Sequence, residues 1–231
     1  MKLIHDPPIH GHIELDDFAV RLVDTPEFQR LRRITQLGLV FLAYPSARHT
    51  RFEHSLGTFH LARMVSSHNP GIEDGVSYAA LLHDLGHYPP FSHTLEALYQ
   101  RHEENTRWAL RHGEIGDVVR ERYSLEEFLG LLKHPLVSGD IDADRMDYLV
   151  RDAYYTGGVA YGIADLDRLV RYLHYDGGRG SWWGGEGGDN GGAEPPAREE
   201  HDAPDGLPAP RFEDSGRDAD RGRKARGNPP P

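Results

Sequence analysis

Three short segments of this chain combine histidine or aspartate with an apolar helical pattern: Arg51-Phe52-Glu53-His54, His83-Asp84-Leu85-Gly86-His87 and Ile141-Asp142-Ala143-Asp144-Arg145. Each is chemically odd for a core. His83-Asp84 closes the most apolar run, Val76 to Leu85, where an ionised carboxylate is costly unless it is paired or bound to a cation. A divalent metal meets that cost. The chain has no cysteine, so thiolate metal sites, cysteine nucleophiles and disulfides are excluded, and any metal must be held by carboxylate and by some of the 15 histidines.

Neighbouring residues on a helix diverge by about 100°, so His83 and Asp84 reach one ion only at their shared edge, with other helices supplying further ligands. His54 and Asp144 would complete the set, with Asp142 as the competing carboxylate. Two imidazoles and two carboxylates leave positions open for water and substrate on Fe, Mn, Zn or Ni. Such a metal lowers the pKa of bound water and supplies hydroxide near neutral pH. An isolated His-Asp dipeptide is more often a hydrogen-bonded core pair. It is the three segments together that favour a site.

The elements that must position these residues read as helices. Residues 3–16 carry Pro7, Pro8 and Gly11 between Ile4, Ile9, Ile13 and Leu15, which suits an irregular or short extended arm. Thr25-Pro26 starts a helix whose apolar residues Phe28, Leu31, Ile34 and Leu37 run to Gly38. Further helical patterns cover 54–67, 76–85, 92–101, 105–112, 124–133, 142–152 and 165–174, with Ser124 and Glu127 as a capping box. Strand-like alternation is nearly absent between 17 and 175, so the fold class is all-α, a helical bundle.

The chain divides at Tyr175. Half of its glycines and half of its prolines lie beyond that point, where Leu207 is the sole large aliphatic residue, so 176–231 cannot bury enough apolar surface to order itself and reads as a disordered C-terminal tail. Trp182 and Trp183 are unusual in such a tail, and Gly206 to Asp214 can be back-translated so that a one-base shift gives a helix-compatible string. Out-of-frame translation of a GC-rich gene is one reading of the switch. The net charge of −11 disfavours a general duplex nucleic-acid surface but not a local basic pocket. No stretch suits a signal peptide or a membrane span, which leads us to expect a cytoplasmic protein.

Longer motifs sharpen the site. Asp6 to Leu15 (DPPIHGHIEL), DTPEFQRLRRITQLG at 24–38, RFEHSLG at 51–57, HDLGHYPPFSH at 83–93 and IDADRMDYLVRD at 141–152 follow one another in an order that resembles the HD-domain metal-dependent phosphohydrolases. Within them the likeness is to the deoxynucleoside triphosphate triphosphohydrolase branch, dGTPases included. It covers nearly all of 1–175.

The resemblance implies His54, His83, Asp84 and Asp144 as metal ligands, preferring Asp144 over Asp142. It implies His87, His93 and His102 as active-site histidines with Glu96 as their carboxylate partner. Arg51, Arg145, Tyr148 and Asp152 match positions that contact substrate phosphates or sugar, and Gln36 and Leu37 match the lining of a deoxyribose pocket. Lys2, Asp24 and Arg32 match a nucleotide-activator site between subunits of a homo-oligomer. Tyr88-Pro89-Pro90 adds a residue before Phe91, a departure that could shift His93.

The implied reaction releases a deoxynucleoside and triphosphate from a dNTP, with one divalent transition metal in the site and Mg²⁺ on the substrate phosphates. Two rival readings are hydrolysis of another nucleotide phosphoester and a weakly active nucleotide or single-stranded nucleic-acid binding module.

Overall fold

The computed structural model describes residues 2–6, 8–96, 98–158, 162–163, 165–176 and 179–182, all within the compact unit Met1–Glu186. The tail beyond residue 182, with Trp183 and the segment that suggests a frame shift, lies outside the described residues.

The N-terminal arm is more regular than its prolines suggest. Strands β1 (Lys2–Asp6) and β2 (Gly11–Leu15) pair antiparallel, Lys2 opposite Leu15 and Asp6 opposite Gly11. Gly11 supplies the left-handed turn at φ 68°, and alternation puts Ile13 and Leu15 into the core. Helix α1 (Asp17–Val23), which the motif reading missed, starts where the Asp16 carboxylate accepts the Ala19 N–H at 2.8 Å. It buries Phe18, Ala19, Leu22 and Val23.

The helix expected from Thr25 to Gly38 is shorter. Helix α2 (Pro26–Gln29) passes into a 3-10 turn, Arg30–Arg33, and Ile34 is extended at φ −117°. The apolar residues here recur every third position, a period that a 3-10 turn satisfies as well as an α-helix does. The chain then straightens so that Thr35 bridges Thr50 and Ile34 accepts the Arg51 N–H at 2.9 Å.

Helix α3 (Arg51–His68) is the axis of the bundle. It begins three residues before the expected start, because the Glu53 carboxylate accepts the Thr50 N–H at 2.8 Å and the Thr50 hydroxyl. Leu56, Phe59, Leu61, Ala62 and Val65 are buried against α4 (Gly75–Leu82), α8 (Ala143–Thr156) and α9 (Leu166–Tyr172). Helix α4 ends at Leu82 rather than Leu85, which leaves His83 and Asp84 in the turn that follows.

Where a helix was expected over 92–101 there is only a 3-10 turn, Ser92–Leu95, with Ser92 at φ 52°. Helix α5 (His102–His112) begins earlier than Asn105, and α6 (Glu114–Arg120) was not foreseen. Helix α7 (Leu125–Leu131) follows Ser124, whose side chain makes no capping bond, so the expected capping box is not formed. Helix α9 stops at Tyr172, and strands β3 (Leu173–Asp176) and β4 (Arg179–Trp182) pair antiparallel across the boundary drawn at Tyr175. The domain is a helical bundle with two small hairpins. Among the described residues no helix is long and apolar enough to cross a membrane.

Gly57 sets the closest approach of α3 to α8. A Cβ there would lie 1.9 Å from Asp147 Oδ1 and 2.7 Å from Arg151 Nη2, both fixed groups in the core. Alanine would favour the helix by about 1 kcal/mol, but the clash forces the two helices apart. Gly57→Ala should therefore lose roughly 1–3 kcal/mol of stability, read as a lower denaturation midpoint in urea. A raised midpoint would show that intrinsic helix propensity dominates.

Candidate functional site

Three elements bring the four expected ligands together. His54 projects from the first turns of α3, His83 and Asp84 from the turn after α4, and Asp144 from the first turn of α8. His54 Nε2 lies 3.0 Å from Asp144 Oδ1 and 3.4 Å from Asp84 Oδ2. His83 Nε2 lies 3.3 Å from Asp84 Oδ1 and 3.6 Å from Asp144 Oδ1. Asp142 is occupied elsewhere. As N-cap of α8 it accepts the Arg145 N–H at 2.7 Å and the Gly139 N–H at 2.9 Å.

The rings are held so that their Nε2 atoms face inward. His83 Nδ1 is 2.7 Å from the Ala80 carbonyl, which can only accept, so Nδ1 carries the proton. His54 Nδ1 likewise donates to Asp147 Oδ2 at 2.7 Å. Both Nε2 atoms are buried without a hydrogen-bond partner. Buried orphan nitrogens that converge with carboxylates fit a cation better than they fit one another. A ligand atom from each of His54, His83 and Asp144 falls within 4.8 Å of the others, and a divalent ion fits this donor set.

The electrostatics agree. Burial alone would push the His54 imidazole down, but Asp144 and Asp147 raise it to about 10. His83 is raised too, as Asp84 and Asp144 outweigh its burial. Burial opposes ionisation of Asp84, yet Arg51, His83 and His87 hold its carboxyl well below the usual range. A pocket that draws protons onto its imidazoles offers the same field to a metal ion, which would take the place of those protons.

Asp147 is the residue that the motif reading overlooked. It is fully buried and accepts from His54 on α3, from His10 Nε2 at 2.6 Å in the turn between β1 and β2, and from Arg151 Nε and Nη2 at 2.8 and 2.9 Å. Arg151, also fully buried, reaches Asp6 Oδ2 at 2.7 Å. The spacing of Asp144, Asp147 and Arg151 at i, i+3 and i+7 was a usable signal. It puts all three on one face of α8.

His87, His93, His102 and Glu96 form a second cluster beside the first. Glu96 Oε1 is 2.7 Å from His102 Nδ1, 3.2 Å from His93 Nδ1 and 3.5 Å from His87 Nδ1, and the His87 and His102 rings stack with centroids 3.9 Å apart. The additional proline thus leaves His93 within the cluster. His87 Nε2 faces Asp84 Oδ1 at 3.1 Å, and burial pushes its imidazole down to about 3.

A cavity of about 1110 Å³ opens over both clusters, lined among others by His83, Asp84, His93, His102, Asp144 and Arg51. Arg51 is buried, donates to Asp84 and hydrogen-bonds Ser92 Oγ at 2.6 Å. Arg145 lines the cavity and donates to the Asp140 carbonyl at 2.6 Å.

The remaining expected residues stand apart. Gln36, Leu37, Tyr148 and Asp152 do not line this cavity, and Asp152 is engaged by His49 at 2.7 Å. Lys2 and Asp24 pair at the surface at 3.7 Å, while Arg32 turns its guanidinium onto the Phe52 ring, 3.4 Å from the centroid.

Residues 51–154 match the HD domain family model. Uncharacterized protein MJ1154 of Methanocaldococcus jannaschii is 46% identical over 173 residues, which are 75% of this chain and 38% of that protein. Deoxynucleoside triphosphate triphosphohydrolase SAMHD1 of Homo sapiens is 34% identical over 227 residues, covering 74% of this chain and 36% of that protein. Among solved structures, a phosphohydrolase from Bacteroides thetaiotaomicron superposes with TM-score 0.66 at 35% identity, over 79% of this chain and 49% of the other. A hypothetical protein from Aquifex aeolicus gives TM-score 0.70 at 38% identity, over 78% and 53%. The chain thus spans about two-fifths to half the length of these relatives.

The geometry separates the two competing aspartates experimentally. Asp144→Asn should lose the bound metal, measured by elemental analysis of purified protein. Asp142→Ala should keep it while losing about 1 kcal/mol from the α8 cap. The reverse pattern would move the ligand assignment to Asp142.

Proposed function

Because the chain belongs to the HD domain family, we propose that it is a metal-dependent phosphohydrolase that splits deoxynucleoside triphosphates into deoxynucleoside and triphosphate. The observation that carries the metal-dependent part is the convergence of His54, His83, Asp84 and Asp144 with two orphaned Nε2 atoms at the floor of a large cavity. Bound there, a divalent ion of the Fe, Mn, Zn or Ni kind would supply hydroxide near neutral pH and neutralise charge on a phosphate oxygen.

The chain's own side chains account for the rest of the reading. Arg107 and Lys133 line the cavity, and among the described residues neither side chain has a hydrogen bond or ion pair. With Arg145 they offer cationic groups to an extended polyphosphate, for which Mg²⁺ would be a co-ligand. His93 and His102 also line the cavity and share Glu96, so they are the imidazoles best placed to hand a proton to the leaving 5′-oxygen. His87 lies behind them, held neutral by burial, and orients itself on Asp84.

Deoxynucleotide preference rests on the relatives and on the Gln36-Leu37 motif. Leu42 and Tyr44, exposed on the loop that follows this motif, support a homo-oligomer as part of the same reading. A nucleotide activator rests on the resemblance at Lys2, Asp24 and Arg32.

One observation favours the first rival. Gln36, Leu37, Tyr148 and Asp152 do not border the cavity, which offers a ligand the basic groups of Arg107, Lys133 and Arg145 instead. A different phosphoester, held by phosphate contacts alone, suits that arrangement.

Incubation with Mn²⁺ and each dNTP should release tripolyphosphate and deoxynucleoside. Phosphate or pyrophosphate as the sole inorganic product would reject the proposal in favour of the rival. Arg107→Ala should raise KM about tenfold, with kcat held within a factor of two, because its contact is made equally in the bound substrate and the transition state.

A further inference from the structure

The Asp147 carboxylate is saturated. Oδ2 accepts from His54 Nδ1 at 2.7 Å and Arg151 Nε at 2.8 Å, and Oδ1 accepts from His10 Nε2 at 2.6 Å and Arg151 Nη2 at 2.9 Å. Four donors on two oxygens fix the carboxylate plane, and that plane fixes the direction in which the His54 N–H must point. Two of the tethers begin in the N-terminal hairpin. His10 sits in its turn with a side chain 3% exposed, and Asp6, the last residue of β1, anchors the far side of the Arg151 guanidinium at 2.7 Å.

We infer that the β1–β2 hairpin is a working part of the metal centre: Asp6 and His10 are positioning residues that act through Arg151 and Asp147 to set the tautomer and ring orientation of His54, and so its affinity for a divalent ion. The inference rests on the metal reading of the site. His83 does not share this dependence, because its Nδ1 is fixed locally by Ala80, one turn back along its own segment. The hairpin thus controls one of the two imidazoles and leaves the other alone. Loosening either tether lets the Asp147 plane rotate and tilts His54 Nε2 away from Asp84 and Asp144, without removing any ligand. Hydrogen-bonding partners of metal-bound histidines typically govern about 10–100-fold in affinity.

The test uses Co²⁺ binding by the full chain, measured by chelator competition, together with the visible spectrum of the bound ion. His10→Ala should weaken Co²⁺ binding roughly 10–100-fold and shift the Co²⁺ bands. His10→Gln, which can still donate to Asp147, should restore most of the affinity. Asp6→Asn, which touches neither His54 nor Asp147, should weaken binding in the same direction.

Asp16→Ala provides the stability control. Asp16 caps α1 and bonds Tyr78 at 2.8 Å, so its loss should lower the melting temperature and leave Co²⁺ affinity and spectrum unchanged. Wild-type affinity and spectrum in His10→Ala would overturn the inference, even if that variant melts lower. Failure of Asp6→Asn to fold leaves the two His10 variants to decide. If the wild-type chain takes up no Co²⁺, the metal reading itself falls and the inference with it; tight wild-type binding with unaltered variants rejects only the role of the hairpin.

Discussion

The fold turns on one buried ion pair. Asp147 and Arg151 lie one turn apart on α8, both fully buried, joined by two parallel hydrogen bonds and pressed against α3 where only glycine fits. Such a pair gains little net stability, because the cost of taking two charges out of water roughly cancels their attraction. Its effect is specification. A buried carboxylate and guanidinium tolerate few arrangements, and the one adopted here demands His54 from α3, and His10 and Asp6 from the N-terminal hairpin. Three segments far apart in sequence are thereby held in a fixed register.

From that register the site follows. With His54 pinned at Nδ1, its Nε2 faces Asp84 and Asp144, and α4 delivers His83 to the same point. The result is a concentration of carboxylate charge at the floor of a cavity, beside buried imidazoles whose inward-facing Nε2 atoms lack partners. Arg51 offsets part of the charge on Asp84 by direct contact. A cation would complete the balance, and the basic side chains that line the same cavity would face an anionic group brought to it.

Much of the candidate ligand set was legible because metal chemistry restricts residue types. A chain without cysteine that places His-Asp at the end of its most apolar helix has few ways to accommodate the charge. The choice between Asp142 and Asp144 was not legible from spacing, since two residues apart on a helix start both sit near the same loop. Backbone N–H groups of Gly139 and Arg145 take Asp142 as a cap, and only folding shows that. The Gln29–Gly38 segment misled for a different reason: a strict three-residue spacing fits two kinds of helix, and the pairing of Thr35 with Thr50 selected the shorter one. The hairpin was hidden by its prolines, although the alternation of Ile13 and Leu15 was present.

By itself the sequence determined the all-α class and the likeness to the HD domain family, and it pointed to the candidate metal-ligating residues, because each depends on local periodicity or on residue types in order along the chain. The tertiary structure showed what spacing could not: that Asp144 rather than Asp142 faces His54 and His83, that Asp147, itself bound by Arg151, holds His54, and that an arm more than forty residues upstream of His54 reaches Asp147. Those outcomes depend on burial and on directions between distant segments. A desolvated charge takes whichever partner the packed helices bring within reach, and no spacing in the sequence encodes that distance.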